Sequence, residues 1–298
     1  MIHNYRATKD IVAFSYTVNT LRSFFLGKGF VEVHTQDRLS ILAACEDPTT
    51  IATYQYTNTV WPLPQTGQMW LEYELLKNPA LQGVFCVSTS YRNEPNPVPG
   101  RHEIIFPMFE FEVKGELHNL EALETELCEY LGFGVQSDFF YKEYDDLATY
   151  YKTDELTSAN EMQMKTDFGP VVFLEHFPIH TSPFWNMRKN GDHANKIDVI
   201  LHGQETIGSA ERSSNKHEMR EQFHTISNGM YAKTLYDKFG KDRVEKELDE
   251  FLSFDFFPRF GGGIGMTRMI RALREHGILN KAGAIAPSIG VVEPAVLV

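Results

Sequence analysis

"SYRNEPNPVPGRHEIIFPMFEFEVKG", residues 90–115, is the stretch that decides how this chain can fold. Side chains alternate across a strand, so Arg92 and Glu94 leave the outgoing arm on one face. On the returning arm Phe106, Met108, Glu110 and Glu112 share a face, while Ile105, Phe109, Phe111 and Val113 take the other. The second set is apolar throughout and is expected to pack on a core. The first is mixed and would floor a cleft. Between the arms the prolines of "PNPVPG" stiffen a loop that brings Arg101 and His102 over that floor. Arginine forks match phosphate oxygens, and an aromatic ring matches a base. The stretch therefore reads either as a nucleotide site or as a surface hairpin with solvated charges, and by itself it leaves both open.

On either side of it the periodicities are regular. Ile11, Phe14, Val18, Leu21 and Phe25 fall on one helical face, Gly27 and Gly29 end that helix, and "FVEVHT" follows as a strand. Residues 68–77 and 118–131 read as helices, the second stopped by Gly132. "QGVFCVSTSYRNE" and "PVVFLEHFPI" read as strands. Residues 216–252 read as two helices parted by "FGKD", and "FGGGIG" as a glycine-rich turn leading into a last helix from Met266 to about His276. Strands in hairpins with helices between them predict an α+β fold, an antiparallel sheet flanked by helices.

Composition narrows the function. The 298 residues carry 42% hydrophobic and 13% aromatic side chains, enough for a sizeable core. A net charge of −12 argues against broad, non-specific nucleic-acid binding, which needs a basic surface. Cys45, Cys86 and Cys128 are widely spaced, which disfavours a structural zinc or a disulfide framework and fits a reducing, cytoplasmic setting. The N-terminus has no apolar signal core and no apolar run suggests a membrane span.

Two further stretches carry chemistry. In "KIDVILHGQETIGSAER", residues 196–212, a two-residue turn at His202-Gly203 would set Ile200 opposite Glu205 and bring Asp198 and Glu205 to one face. Two such carboxylates either hold magnesium, with phosphates completing its shell, or belong to a polar hairpin on an acidic surface. Gly208 offers a bulge that could re-aim Arg212. In "PRFGGGIGMTRMIRAL", residues 258–273, glycines permit close backbone approach, and a helix N-terminus with Arg268 in its first turn attracts anions.

Taken in order, these segments resemble the three signature motifs of class II aminoacyl-tRNA synthetases of the aspartate, asparagine and lysine subclass. "LRSFFLGKGFVEVHT" is similar to the first motif, "YRNE" with "RHEIIFPMFEFE" to the second, and "GGGIGMTR" to the third. "LPQTGQMWLEYELL" resembles the amino-acid-side segment, and Asp198, Glu205, Gly208 and Arg212 match the metal-and-side-chain segment. The chain departs from the pattern at Gln36, where the family has proline, and at Ile105, where it has glutamate.

The resemblance implies roles by position. Arg92 would hold the α-phosphate, Glu94 the adenine amino group, and Arg101 or His102 the γ-phosphate. Phe106 would stack on adenine with Arg268 on the other side of the base. Asp198 and Glu205 would bind Mg2+, Arg212 a carboxylate of the amino acid, and Gln68 and Glu112 would complete the substrate pocket. It also implies a homodimer through the first motif. Residues 1–298 read as a single adenylate-forming domain without the subclass's anticodon-binding barrel, closest in layout to archaeal-type asparagine synthetase. The expectation is thus ATP-dependent, Mg2+-assisted and AMP-forming activation of aspartate, then transfer to ammonia, with tRNA not expected as acceptor. The rivals are another acceptor (a tRNA, an amine or a peptide) or an inactive paralogue that acts as a regulator.

Overall fold

The computed structural model describes residues 10–35, 39–41, 47–97, 103–181 and 184–279. The expected γ-phosphate ligands Arg101 and His102, along with Gln36 and Cys45, lie outside the described residues.

The elements in chain order are α1 (Ile11–Gly27), β1 (Val31–Glu32), β2 (Thr53–Tyr56), β3 (Thr59–Pro62), α2 (Gln68–Lys77), β4 (Gly83–Tyr91), β5 (Ile105–Lys114) and α3 (Leu117–Leu131). There follow β6 (Phe140–Glu143), α4 (Tyr144–Tyr151), α5 (Ser158–Asp167), β7 (Val171–Pro178), β8 (Lys189–Asn190), β9 (His193–Leu201) and β10 (Gln204–Arg212). The remainder is α6 (Lys216–Thr225), α7 (Met230–Phe239), α8 (Lys241–Leu252), β11 (Arg259–Gly265) and α9 (Met266–Glu275).

One nine-stranded sheet organises them, in the order β1-β4-β5-β11-β10-β9-β7-β6, with β8 added on β9. Its interior pairs are antiparallel, as expected of an α+β fold, but the edge pairs β1–β4 and β6–β7 are parallel. The "FVEVHT" strand is short: after Val33 N donates to Phe85 O at 2.8 Å the chain leaves the sheet. Phe109, Phe111 and Val113 of β5 do face a core, where they meet Leu21 and Phe25 of α1, Leu120 and Leu127 of α3, and Met269 and Leu273 of α9. Ile11, expected on that face, is 76% exposed. The opposite face of the sheet is the cleft. A second apolar cluster built from α2, α6, α7, α8 and Trp185 flanks it.

Local chemistry explains most boundaries. Asp10 caps α1 by accepting from Val12 N and Ala13 N, both at 3.0 Å. Gly132 ends α3 in the left-handed region at φ +92°. Residues 216–252 form three helices rather than two. Ser227, Asn228 and Gly229 take φ of +54°, +54° and +79°, which no helix can carry, so the break falls there as well as before Lys241.

The glycine-rich segment is the largest departure. Residues 259–265 are not a turn but the central strand β11, paired with β5 on one side and β10 on the other. Its glycines leave cleft-side space to neighbours. A Cβ on Gly261 would overlap Glu112 Oε2 and Gln68 Nε2 and lie 2.6 Å from the Phe111 carbonyl oxygen. Side chains from β5 and α2 fill the volume that β11 leaves empty.

Candidate active site

The cleft face holds a cavity of about 490 Å3. Gln68, Arg92, Glu94, Phe106, Glu205, Arg212 and Arg268 all line it, although they come from five separate elements and loops. Glu112 and Asp198 stand just behind the wall: Glu112 is fully buried beneath Gln68 and Arg212, and Asp198 is 6% exposed. The expected floor is therefore real in its parity, but its carboxylates are buried rather than solvated.

The β9–β10 hairpin sets the carboxylate pair. His202 and Gly203 both take left-handed backbone, φ +51° and +79°, as a two-residue primed turn requires. Leu201 pairs with Gln204 and Ile200 with Glu205, as the turn predicted. The register then shifts between Glu205 and Ile207, so the bulge is at Thr206 rather than Gly208. The shift puts Gly208 opposite Asp198. A Cβ on Gly208 would lie 2.9 Å from Glu205 Oε1 and 3.4 Å from Asp198 Oδ1, so both carboxylates converge on the space that glycine leaves.

Charges surround that point. Lys196 Nζ contacts Asp198 Oδ2 at 2.6 Å, and Arg268 Nη1 reaches Glu205 O at 2.8 Å and Glu205 Oε2 at 3.4 Å. Burial pushes Asp198 up to about 7, with Lys196 opposing and Glu205 adding to the rise. Burial acts the same way on Glu205, but the charges of Lys196, Arg268 and Arg92 outweigh it and hold that group below its ordinary range. Asp198 Oδ1 is buried and, among the described residues, has no hydrogen-bond partner. Two carboxylates, one with an orphaned oxygen facing a cradle, are the donor set a magnesium ion takes.

Arg92 lies over the Phe106 ring, 5.4 Å from its centroid. Deeper in, four buried side chains form a charge-balanced cluster. Arg212 Nη2 is 3.3 Å from Glu112 Oε2, and its Nε is 3.7 Å from Glu72 Oε1. Arg259 Nη2 is 2.6 Å from Glu72 Oε2, and its Nε is 3.8 Å from Glu112 Oε1. Burial, opposed by Arg212 and reinforced by the Glu72 charge, raises Glu112 to about 7. Gln68 Nε2 donates to Glu112 Oε2 at 2.5 Å and to Phe111 O at 2.9 Å, which turns its amide oxygen away from both.

Glu110 secures the segment that carries Gln68. It accepts from Gly67 N at 2.8 Å and from the hydroxyls of Thr66 and Ser88. Burial raises its pKa, and those donors counter the rise.

Sequence reasoning missed Lys196, Arg271, Glu72, Arg259 and the anchoring role of Glu110. Two had a local signal. Lys196 shares Asp198's face at strand period, and Arg271 follows Arg268 by one helical turn and also lines the cavity. Glu72 and Arg259 had none, being 187 residues apart.

A mostly antiparallel sheet with helices on one face and an arginine- and carboxylate-lined cleft on the other is the catalytic fold of the class II aminoacyl-tRNA synthetases. Residues 1–281 match the family described as tRNA synthetases class II (D, K and N), and the chain belongs to that family. An aspartate–tRNA(Asp) ligase from Pyrobaculum aerophilum is 23% identical over 299 aligned positions, covering 89% of this chain and 64% of that protein. Among solved structures, an asparaginyl-tRNA synthetase from Pyrococcus horikoshii complexed with asparaginyl-adenylate superposes with a TM-score of 0.72 at 18% identity, covering 89% of this chain and 65% of that one. An aspartyl-tRNA synthetase from Entamoeba histolytica gives 0.66 at 17% identity, covering 92% and 58%. The chain thus spans less than two-thirds of the length of these relatives. Among the described residues no helix is long and apolar enough to cross a membrane.

Proposed function

We propose that this protein is an AMP-forming ligase that activates aspartate or asparagine as an acyl-adenylate and passes the acyl group to tRNA. The observation that carries the reading is the single cavity that gathers Gln68, Arg92, Glu94, Phe106, Glu205, Arg212 and Arg268. A carboxylate oxygen of the amino acid attacks the α-phosphorus of ATP, the bond to the β-phosphate oxygen breaks, and pyrophosphate leaves. Arg92 and Arg268 stabilise the charge that builds on the phosphates, and Phe106 stacks on the base. Asp198 and Glu205 would hold Mg2+, which when bound neutralises phosphate charge. An acceptor hydroxyl then attacks the acyl carbon and AMP departs.

The acceptor differs from the one expected from sequence. Ammonia is expected on net charge, on the domain content of the chain and on the want of a lysine-rich helix or tail, and none of these is a property of the site. The relatives above are all named for tRNA, which favours tRNA. The homodimer expected from the first motif is part of the same proposal. Ile11, Val12, Leu26 and Val31 are exposed along α1 and β1, which supports it, and light scattering tests it.

The buried cluster bears on the amino acid. Arg212 was expected to demand a substrate carboxylate, but Glu112 and Glu72 already meet its charge. A carboxylate side chain would be a third anion beside two cations, whereas an amide adds no charge. Above about pH 7, where Glu112 is ionised, asparagine is therefore the better-matched substrate. Aspartate becomes competent when Glu112 takes up a proton, below about 7.

The test is pyrophosphate exchange into ATP with aspartate and asparagine across pH, followed by product analysis with tRNA or ammonium. Asparagine should support exchange with a pH-independent KM, and the KM for aspartate should fall as the pH drops below about 7. Exchange with neither amino acid refutes the function. Free asparagine formed from aspartate and ammonium, with no tRNA charged, restores the ammonia acceptor.

A further inference from the structure

A second cluster of ligand-type side chains lies away from the cleft, and it stands independently of the function proposed above. Glu143 ends β6 and pairs with Glu175 across the parallel β6–β7 edge. His176 follows Glu175 at φ +53°, a left-handed backbone that histidine tolerates better than most residues. The β7–β9 register shifts there, between Glu175 and Phe177. Consecutive strand residues ordinarily point to opposite faces, and a bulge lets Glu175 and His176 project together. One donor atom from each of Glu143, Glu175 and His176 lies within 4.8 Å of the other two. His176 Nδ1 is 2.8 Å from Glu143 Oε2.

Glu175 is the decisive member. It is 9% exposed, and its Oε1 is out of contact with solvent and, among the described residues, has no hydrogen-bond partner. Its charged neighbours are Glu121 and Glu143, which add to the upward push of burial on its carboxyl. Among the described residues no lysine or arginine forms an ion pair with Glu143 or Glu175. A buried carboxylate with an unpartnered oxygen, beside an imidazole and a second carboxylate, lacks only a cation.

We propose that Glu143, Glu175 and His176 form a binding site for a divalent transition-metal ion of the zinc type, which clamps the β6 edge of the sheet to β7. One imidazole and two carboxylates are a zinc-type donor set, with water completing the shell. Tetrahedral donors about 2.0–2.2 Å from zinc stand roughly 3.3–3.6 Å apart, and here one pair stands at 2.8 Å and all three donors lie within 4.8 Å of one another. This is not the magnesium pair. Glu175 pairs with Ile197, on the helix-packed face, whereas Asp198 points to the cleft.

The test uses the tag-free 298-residue chain, stripped with EDTA, in excess Mg2+ so that oxygen-only sites are filled. Zn2+ is titrated calorimetrically, and Co2+ is followed by its visible bands. One equivalent of Zn2+ should bind in the micromolar range or tighter, with Co2+ bands that Zn2+ abolishes. Loss even of an outer-shell partner costs about tenfold or more in metal affinity, so loss of a ligand should cost at least that. His176→Asn keeps a residue tolerant of the left-handed backbone, and Glu175→Gln keeps shape, so both should fold and both should lose at least tenfold in affinity. No uptake by the native chain, or equal affinity in native and variant chains, overturns the proposal and leaves Glu143 and His176 as a surface ion pair.

Discussion

Replacing Gly261 by alanine puts a methyl where the pocket's own side chains already sit. On this face of β11 the added carbon overlaps Glu112 Oε2 and Gln68 Nε2, and the Phe111 carbonyl oxygen is 2.6 Å away. The backbone of a central strand paired on both sides cannot yield, so Glu112 must swing away and its contacts with Arg212 and Gln68 break. Overpacking costs about 1–3 kcal/mol, and breaking a buried ion pair about 3–5 kcal/mol. The two overlap, because the swing relieves the clash, so the net expectation is about 3–5 kcal/mol. With an unfolding entropy of about 2.1 cal/mol/K per residue, 298 residues give roughly 0.6 kcal/mol/K, and Tm should drop by about 5–8 °C. The control lies two residues along on the same face. Among the described residues a Cβ at Gly263 meets only Met108 Cε at 2.8 Å and Glu110 Cγ at 3.8 Å. A thioether methyl moves easily, so Gly263→Ala should cost about 1 kcal/mol or less. Differential scanning calorimetry of the three proteins, with the amino-acid KM from pyrophosphate exchange, gives the comparison. If the two variants melt within a degree of each other, the account of β11 as a strand whose side-chain space belongs to its neighbours is wrong.

Arg92→Ala should reduce exchange by about 100-fold or more, since a charge contact that strengthens in the transition state contributes roughly 3 kcal/mol; undiminished exchange would remove the role assigned to it. Glu124 is fully buried, and burial, opposed by the Ser209 hydroxyl and reinforced by the charges of Asp198 and Glu175, holds its pKa well above 4.5. The unfolded chain releases that proton first, so native stability falls as pH rises above about 4.5, by up to about 1.4 kcal/mol per unit. Glu124→Gln removes this slope, and urea melts should show the variant gaining on the native protein between pH 5 and pH 8. Burial, and then the Lys165 charge, lower His202 to about 4 from 6.5. The unfolded state therefore takes up the proton first on acidification, and stability falls by about 1–3 kcal/mol as pH drops from 6.5 toward 4. His202→Asn, which tolerates the left-handed turn, should flatten that part of the profile in the same melts.

Short-range geometry was legible in the sequence. The helix spacings placed α2, α3 and α9 to within a residue or so, and the period of two assigned the apolar face of β5 to the core and its mixed face to the cleft. The Ile200–Glu205 pairing followed from a two-residue turn. Each of these depends on backbone geometry over a few residues. The resemblance to the synthetase motifs named residues that the fold gathers into one cavity, Gln68, Arg92 and Arg268 among them.

Only tertiary structure decided the rest, because it depends on which strands become neighbours. Three glycines in a row carry no side chains, and the sequence reads as a turn; β11 is a strand paired on both sides, with Glu112 and Gln68 reaching into the space above it. The expected two-helix stretch has a further break at "SNG", 227–229, where left-handed residues separate α6 from α7. The charge state around Arg212 is the clearest case. In the chain Arg212 is one basic residue after one acidic one. In the sheet it faces Glu112, a hundred residues earlier, and Glu72, while Arg259 closes the cluster. No local pattern encodes that neutrality, since electrostatics acts over distances in space, and the strand order alone determines which charges are close enough to cancel.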